Sequence, residues 1–416
     1  MKINILVIVI AFVQAAFAQS KNAYLKNNRF DLLSPNFEFP QNDFKIIGFG
    51  AYHGSQETEN VENMLLEKLI QNKKIKYYLP ETDFGIAYYF NQYLKTGDTI
   101  ELKDLVKHYG VRVPQERTVE TYNKWKKIKK INDTQNPYEK IEVVGIDLIV
   151  TYKYTSKLLV ELFQNAQGNY ESFDKIVDML NIDTTDYSPD YDSYCKSILT
   201  TFLADYENNK SYFQSISKSQ QITNHLIENI YLTLKKRTRE KTIFDNYLLM
   251  SQWFSFNANP QFVRMGLFHI EKDRENNNPS FFTRLIENNI YKKEDVISIA
   301  GFLTKSTVLW DVKYDAEMNC IGYTTEGGYG IGDYWKEYFK GIKHLKNNKL
   351  SNLTLFQLNK EDSPYKNKQT DLIEIELFLK RSNKKALKGK TTTDFFDYAL
   401  LISHSAANKP IEELYH

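Results

Sequence analysis

The stretch that decides the fold covers residues 45–57 and reads Lys45-Ile46-Ile47-Gly48-Phe49-Gly50-Ala51-Tyr52-His53-Gly54-Ser55-Gln56-Glu57. Its apolar residues predict a short strand, and the glycines among and after them allow the backbone to turn tightly. Val61, Leu65 and Leu69 then recur every four residues, which predicts a helix. In a parallel sheet, the turn between such a strand and helix lies at the carboxyl edge, where ligands bind. The stretch therefore predicts an α/β fold with His53 at that edge.

The length, composition and charge of the chain limit its class. A chain of 416 residues can form one large domain with an insertion, or two domains. It is 42% hydrophobic and 25% charged, which is ordinary for a globular protein. The net charge of +2 gives no electrostatic argument for nucleic acid or an anionic membrane as a partner. We therefore do not expect a nucleic acid as the main partner.

The N-terminus has the pattern of a signal peptide over residues 1–18. A basic start precedes an apolar run from Ile3 to Val13, and Ala16-Phe17-Ala18 forms a small-residue cleavage site. An uncleaved membrane anchor is the alternative, but the run is short for a membrane span, and no later stretch is long and apolar enough for one. We therefore predict export to the periplasm or the extracellular space, with residues 19–43 as an N-terminal arm.

The chain has two cysteines, Cys195 and Cys320, which lie far apart in the sequence. A disulfide can form in an exported protein, but a chain long enough to form a complete hydrophobic core does not need one for stability. We therefore predict that the two cysteines are not joined.

Six further segments are apolar and bounded by turn residues, which predicts strands at 75–79, 141–146, 261–268, 296–300, 353–356 and 398–402. Between the third and fourth strands, residues 151–257 show helical periodicity only. A Lys-rich run at 124–130 predicts a solvated helix face. Strands that alternate with helices favour a largely parallel central sheet flanked by helices. We therefore predict one α/β domain over residues 44–416, with a helical insertion at about 151–257.

Four ionisable side chains follow the first four predicted strands, at the point where each strand ends. They are His53, Glu81, Asp147 and His269. One such residue alone is usually a capping or solvated group. Since the carboxyl ends of parallel strands meet at one edge of the sheet, we expect these four side chains to share a site.

Two histidines and two carboxylates can activate water. A neutral histidine takes a proton from water, and a carboxylate on its other ring nitrogen fixes the tautomer and stabilises the imidazolium. The second histidine can stabilise the oxyanion of an acyl transfer. The same groups could hold zinc or manganese, but the sequence lacks a close ligand pair such as His-Glu-x-x-His, so we favour a site without metal.

At this level of detail the chain resembles the erythromycin esterase-like family, part of a superfamily that includes haem-binding ChaN-like lipoproteins. The resemblance covers roughly residues 44–414. Its motifs occur in the family's order and are His53-Gly54-Ser55, Leu79-Pro80-Glu81-Thr82-Asp83, Gly145-Ile146-Asp147, Arg239-Glu240-Lys241-Thr242-Ile243-Phe244-Asp245-Asn246, Gly266-Leu267-Phe268-His269, and Asp397-Tyr398-Ala399-Leu400-Leu401-Ile402 with Pro410.

The resemblance implies a metal-independent hydrolase that needs no cofactor and cleaves an ester or related acyl bond. It implies that His53 is the general base and that Glu81 orients or assists it. His269 would be a second essential residue. Arg239 and Asn246, two helical turns apart, would face the cleft from the inserted helix.

Three departures from the family pattern concern the site. The esterases carry a glutamate three residues before the first histidine, where this chain has Gly50, and an arginine about nine residues after it, where this chain has Glu62. Where they tend to show His-Asn-x-His, this chain reads Phe268-His269-Ile270-Glu271. Glu57, one helical turn after His53, is a candidate to replace the missing acid.

These departures leave a second function open. On the same scaffold the chain could be a non-catalytic protein that binds a ligand, haem or a metal. Bound haem without hydrolysis would indicate this second function, whereas metal-free turnover that depends on His53 would indicate the first.

Overall fold

A computed structural model describes most of the chain, namely residues 20–41, 43–73, 75–182, 187–190, 192–235, 238–315, 320–328, 331–367, 369–380 and 382–415. The signal peptide predicted at residues 1–18 lies outside the described residues, so it stays a prediction.

The described residues form thirteen strands. They are β1 (Arg29–Asp31), β2 (Ile46–Gly50), β3 (Tyr77–Pro80), β4 (Glu142–Val143), β5 (Gln261–Met265), β6 (Val296–Thr304), β7 (Val308–Tyr314), β8 (Cys320–Glu326), β9 (Asp333–Tyr334), β10 (Glu337–Phe339), β11 (Leu353–Gln357), β12 (Ile375–Leu377) and β13 (Tyr398–Ser403).

The same residues form fourteen α-helices. They are α1 (Lys21–Asn27), α2 (Gln56–Lys73), α3 (Phe84–Thr96), α4 (Thr99–Tyr109), α5 (Val119–Asp133), α6 (Tyr152–Leu162), α7 (Glu171–Leu180), α8 (Tyr194–Asn208), α9 (Lys210–Ile216), α10 (Gln220–Leu234), α11 (Arg239–Trp253), α12 (Phe281–Glu287), α13 (Ile342–Asn347) and α14 (Thr392–Phe395).

Eight strands form the central sheet in the order β1-β11-β13-β6-β2-β5-β3-β4. The six strands from β13 to β4 are parallel to one another, whereas β11 pairs antiparallel with β13, and β1 pairs antiparallel with β11. Every residue of β2 is buried, as expected for a strand with helices on both faces. The predicted α/β fold with a largely parallel sheet is confirmed.

The helical insertion predicted after the third strand is present as α6 to α11. The predicted strand at 141–146 is shorter in the structure, where β4 covers Glu142–Val143. A Cβ at Gly145 would lie only 2.0 Å from the carbonyl oxygen of Asp83, so this position packs directly on a neighbouring backbone. The predicted fourth strand ends at Met265, and Leu267–Ile270 forms a 3₁₀ turn that carries His269.

Two parts of the chain differ from the predictions. The segment predicted as an N-terminal arm contains α1 and contributes β1 to the edge of the central sheet. Two small sheets, β7-β8 and β9-β10-β12, were not predicted at all. Of the residues in the hairpin β7-β8, Val308 and Leu309 are the two that are buried.

The Lys-rich run at 124–130 was predicted to form a solvated helix face. This prediction is wrong for Lys124, the first residue of the run. Lys124 lies on α5 and is only 2% exposed. Its ammonium contacts carboxylates of Glu59 (2.6 Å) and Glu62 (3.1 Å) on α2. A lysine is buried in this way only where acids neutralise it.

Two predictions about membranes and redox state can be compared with the described residues. In that part of the chain, no helix combines the length and apolar character needed to cross a bilayer. Cys195 is buried, Cys320 is half-buried, and no disulfide joins them.

Gly50 ends β2 at a point where the sheet and the turn after β5 are in direct contact. A Cβ at this position would lie 2.7 Å from Ile270 Cγ1 and 2.9 Å from the Cα of Leu267. Backbone cannot yield as a flexible side chain does, so the position requires glycine. The acid that the esterases carry here is therefore excluded by packing.

We predict that Gly50→Ala lowers the free energy of unfolding by about 1–3 kcal/mol, because the added methyl overpacks the contact with the turn. Urea unfolding measures the change. Gly327→Ala is the control, since Gly327 is exposed and a Cβ there meets its nearest atom at 3.4 Å; its effect should stay within about 1 kcal/mol. Equal effects of the two variants would contradict the packing argument.

Candidate active site

The carboxyl ends of β2, β3 and β5 bring three of the predicted residues together. Glu81 lies between the two histidines: its Oε2 is 3.5 Å from His53 Nε2 and its Oε1 is 3.6 Å from His269 Nε2. The backbone N–H of Gly266 donates to Glu81 Oε2 at 2.6 Å, which fixes the carboxylate against the end of β5. The register of a parallel sheet thus assembles a His-Glu-His group from three distant parts of the chain.

Asp147 and Arg239 extend this group from β4 and α11. The Arg239 side chain donates from Nη2 to Glu81 Oε1 at 2.7 Å and from Nε to Asp147 Oδ1 at 2.9 Å. Arg112 also pairs with Asp147 at 3.3 Å. Burial alone would raise the pKa of Asp147, but the two guanidinium groups outweigh it and lower that pKa. Asp147 therefore anchors the arginine that holds Glu81.

The carboxylate on the other side of His53 is Glu116, which no motif in the sequence marks. His53 Nδ1 lies 2.5 Å from Glu116 Oε1, in a 3₁₀ turn at Pro114–Glu116. Thr121 donates to the second oxygen of Glu116 at 3.2 Å. Glu57, the candidate for this role, is half-buried and is not among the described ionic partners of His53, so that assignment is not supported by the geometry.

His269 has a matching arrangement. Its Nδ1 lies 2.7 Å from Oε1 of Glu240, in the first turn of α11. Glu240 follows Arg239 directly, so it was within the quoted motif, but nothing in the sequence singled it out. Each imidazole is thus held between two carboxylates, and Glu81 is the one they share.

Asn246, which was expected to face the cleft, lies against the backbone at Ile146 and Asp147. It is buried on α11, and its amide donates to the carbonyl of Ile146 at 3.0 Å and to Asn229 Oδ1 at 2.9 Å. It therefore holds the backbone that presents Asp147. That Asn246 supports the site remains a prediction, and its hydrogen bonds indicate that it would do so by positioning the backbone.

The surrounding carboxylates change the protonation of both histidines. Burial by itself would lower the pKa of His53, but its hydrogen bonds with Glu116 and Glu81 raise that pKa to about 9. Burial is likewise outweighed at His269, where Glu81 and Glu240 raise the pKa to about 10. Burial would raise the pKa of Glu81, yet His269 and His53 hold it well below its ordinary value. Both imidazoles therefore carry a charge at neutral pH.

Glu62 occupies the position at which the esterases carry an arginine, and the structure shows what balances it. Its carboxylate contacts Lys124 at 3.1 Å and Arg264 Nε at 3.4 Å, and it accepts a hydrogen bond from the Tyr78 hydroxyl. The guanidinium of Arg264 also lies 5.3 Å from the centre of the Phe49 ring. The positive charge at this place comes from β5 and α5 rather than from α2.

A methyl-sized gap lies among the three central residues. A Cβ added to Gly266 would be 3.6 Å from His269 Cδ2, 3.7 Å from Glu81 Oε2 and 3.8 Å from His53 Nε2, all ordinary contact distances. The space next to the Gly266 Cα can therefore take a methyl group bonded to it.

Within the described residues, no set of three or more His, Cys, Asp or Glu side chains is arranged to hold a metal ion. Each of the two imidazoles has both ring nitrogens within 3.6 Å of carboxylate oxygens. That the protein needs no metal and no cofactor stays a prediction.

Comparisons with known proteins agree with this fold. No family model and no curated protein matches the chain. A solved Bacillus cereus protein superposes with a TM-score of 0.56 at 15% identity, covering 94% of this chain and 98% of that one. A structure described as a succinoglycan biosynthesis protein gives 0.56 at 14%, covering 94% and 97%. An erythromycin esterase, EreC, carrying a histidine-to-asparagine substitution and in an open conformation, gives 0.55 at 12%, covering 88% and 92%.

At these identities the likeness shows a shared fold and nothing finer. The match extends over most of each chain, so the fold of this chain includes the whole architecture and not only the central sheet. A fold shared with an erythromycin esterase is thereby shown, as the motif resemblance led us to expect.

We predict that the free energy of unfolding falls as the pH rises from about 6.5 to 10. The folded-state pKa values of about 9 and 10 exceed the ordinary 6.5. The stabilisation is therefore complete below 6.5 and lost as each imidazole deprotonates, on the order of a few kcal/mol per histidine. Urea unfolding across this pH range measures it.

Single variants assign the effect to its source. His53→Gln and His269→Gln should each flatten the slope, whereas His344→Gln, on the distant helix α13, should leave it unchanged. A slope that is the same in all three variants would show that other groups cause the pH dependence.

Proposed function

We propose that this protein is a hydrolase that cleaves an ester or a related acyl bond in a small molecule, using water activated by His53. The observation that carries the proposal is the His53-Glu81-His269 group, because it places two imidazoles and a carboxylate together at the carboxyl edge of the sheet. The shared fold with an erythromycin esterase supports the same class of reaction. On the basis of residues 1–18 we further propose that the protein acts outside the cytoplasm.

His53 acts as the base in this proposal. Water in the gap attacks the carbonyl carbon while neutral His53 takes one proton from the water. Glu116, 2.5 Å from His53 Nδ1, holds the ring and stabilises the imidazolium that forms. The proton then passes from His53 to the departing alkoxide, which leaves as an alcohol and restores the neutral base.

His269 stabilises the developing negative charge in this proposal, and Arg239 positions Glu81. Protonated His269 donates to the oxygen that gains negative charge as the tetrahedral intermediate forms. Glu81 holds the His269 and His53 rings at the two sides of the gap, and Arg239 holds Glu81. Because the reacting groups are fixed before the substrate arrives, little reorganisation is needed during the reaction.

The alternative is a non-catalytic protein that binds haem or a metal through these histidines. A metal ligand needs a ring nitrogen with a lone pair directed at the metal. Here both nitrogens of His53 and of His269 are within 3.6 Å of carboxylate oxygens. This arrangement favours proton transfer over coordination.

We predict that ester hydrolysis depends on His53 and on alkaline pH. His53 must be neutral to act, and with its pKa at about 9 only about one molecule in a hundred is competent at pH 7. kcat/KM should rise with pH to about 9 and fall above about 10, where His269 loses its proton. Assays with a panel of p-nitrophenyl esters and lactones measure the profile.

For the esters of this panel, kcat/KM should fall by at least about 100-fold in His53→Gln and stay unchanged in His344→Gln. Metal and haem are measured on the same purified protein. Bound haem or metal with no turnover of any ester would overturn the proposal in favour of the binding protein. A profile with a single midpoint near 6.5 would remove His53 in its described setting as the base.

We predict that Gly266→Ala abolishes hydrolysis without unfolding the protein. The φ angle of Gly266 is −57°, which alanine adopts, and the new methyl meets its neighbours at contact distance. It would occupy the gap that the water needs, so kcat should fall by about 100-fold or more. Thermal unfolding provides the check on stability, and undiminished hydrolysis would place the reaction elsewhere.

A further inference from the structure

Behind His53 lies a buried group of charges of which the proposed reaction uses only Glu116 directly. We call it the inner cluster, and it consists of Glu59, Glu62, Glu116, Lys124 and Arg264, each no more than 2% exposed. Lys124 contacts all three carboxylates, at 2.6 Å for Glu59, 3.1 Å for Glu62 and 3.6 Å for Glu116.

Charge counting links the inner cluster to His53. The cluster has three acids and two bases, so with all of them ionised it carries one net negative charge. His53 contacts Glu116 directly and supplies the missing positive charge when it is protonated. Since an uncompensated buried charge is strongly unfavourable, deprotonation of His53 should require another group to take up a proton.

We propose that Glu59 is a positioning residue that controls the protonation of His53 through this charge balance, so that one proton is shared between the two side chains. When His53 releases its proton to solvent, Glu59 takes one up, and the total charge does not change. The proposed function enters only in naming His53 as the base.

Hydrogen bonding identifies Glu59 as the acid that changes state. Glu116 is bonded to His53 and Thr121, and Glu62 to Tyr78 and Lys124. Glu59 has an ionic contact with Lys124, but neither of its oxygens accepts a hydrogen bond from the described residues. A carboxylate without such bonds gains least from being ionised.

The groups that face each partner agree with this assignment. Burial and the nearby charge of Glu116 raise the pKa of Glu59 to about 7. Lys124 and Arg264 stay charged, because the carboxylates outweigh burial and raise both of their pKa values. Glu116 stays ionised, because Lys124 and His53 outweigh burial and lower its pKa.

The remaining groups do not change charge in this range. On the opposite side of His53, Glu81 remains ionised next to Arg239 and His269. Burial, together with the neighbouring acids, raises the pKa values of Tyr78 and Tyr109, so both stay neutral.

Titration of the histidines by NMR tests the inference without any substrate. In protein labelled with ¹⁵N-histidine, with the His53 signal assigned by its loss in His53→Gln, Glu59→Gln should lower the midpoint of His53 by about 1 to 2 pH units. Glu67→Gln is the matched control, because Glu67 lies on the same helix in an exposed pair with Lys127. It should leave the midpoint unchanged.

The unmodified protein provides a second measurement in case Glu59→Gln does not fold. With ¹³C-labelled glutamate, the carboxyl carbon of Glu59 should titrate near pH 7. The His53 signal should move in two steps, the first of which has the same midpoint. A Glu59 carboxyl that titrates at or below its ordinary 4.5, or a His53 midpoint that is insensitive to Glu59→Gln, would overturn the inference.

The two proposals can fail separately. Coupled titration in a protein that hydrolyses no ester would sink the proposed function and keep this inference. His53-dependent hydrolysis without coupling would do the reverse. If both hold, Glu59→Gln should raise kcat/KM at pH 7 by about tenfold, because more of His53 is neutral.

Discussion

Glu81 pairs with His53, His269 and Arg239 and accepts a hydrogen bond from the backbone N–H of Gly266. The positions of the side chains at the carboxyl edge of the sheet depend on this one carboxylate. These partners lie after β2, after β5 and at the start of α11. A single carboxylate therefore contacts segments that are far apart in the sequence. A buried carboxylate is tolerated only when cations and donors neutralise it. The cations that make Glu81 possible are therefore also the groups that the proposed reaction needs.

Packing explains where the chain departs from the erythromycin esterase pattern. Gly50 cannot carry an acid, because the turn that holds His269 presses against it. The carboxylate next to His53 comes instead from Glu116, in a turn outside the sheet. In the same way, Lys124 and Arg264 supply the positive charge next to Glu62. An ionic site is constrained by charge balance and distance, and several different chain positions satisfy both.

The sequence allowed the central part of the site to be predicted, and physical reasons limit the rest. His53, Glu81, Asp147 and His269 follow strands, and strand ends can be recognised from local apolar patterns. Glu116, Glu240 and Glu59 lie in a turn and on two helices, and their contacts depend on how those elements pack across the sheet. Lys124 illustrates the limit most clearly, since its neighbours in sequence are those of a solvated helix face and only tertiary contacts bury it.

The charge balance of the site connects its stability with its proposed activity. Carboxylates on both sides of His53 and His269 stabilise the protonated imidazoles and thereby the folded state. The same interactions keep His53 in the form that cannot act as a base. A substrate that brings a positive charge into the gap would weaken this preference, because a nearby cation disfavours the protonated imidazole. A site of this kind opposes the deprotonation on which its proposed chemistry depends, as expected where stability and function compete for the same residues.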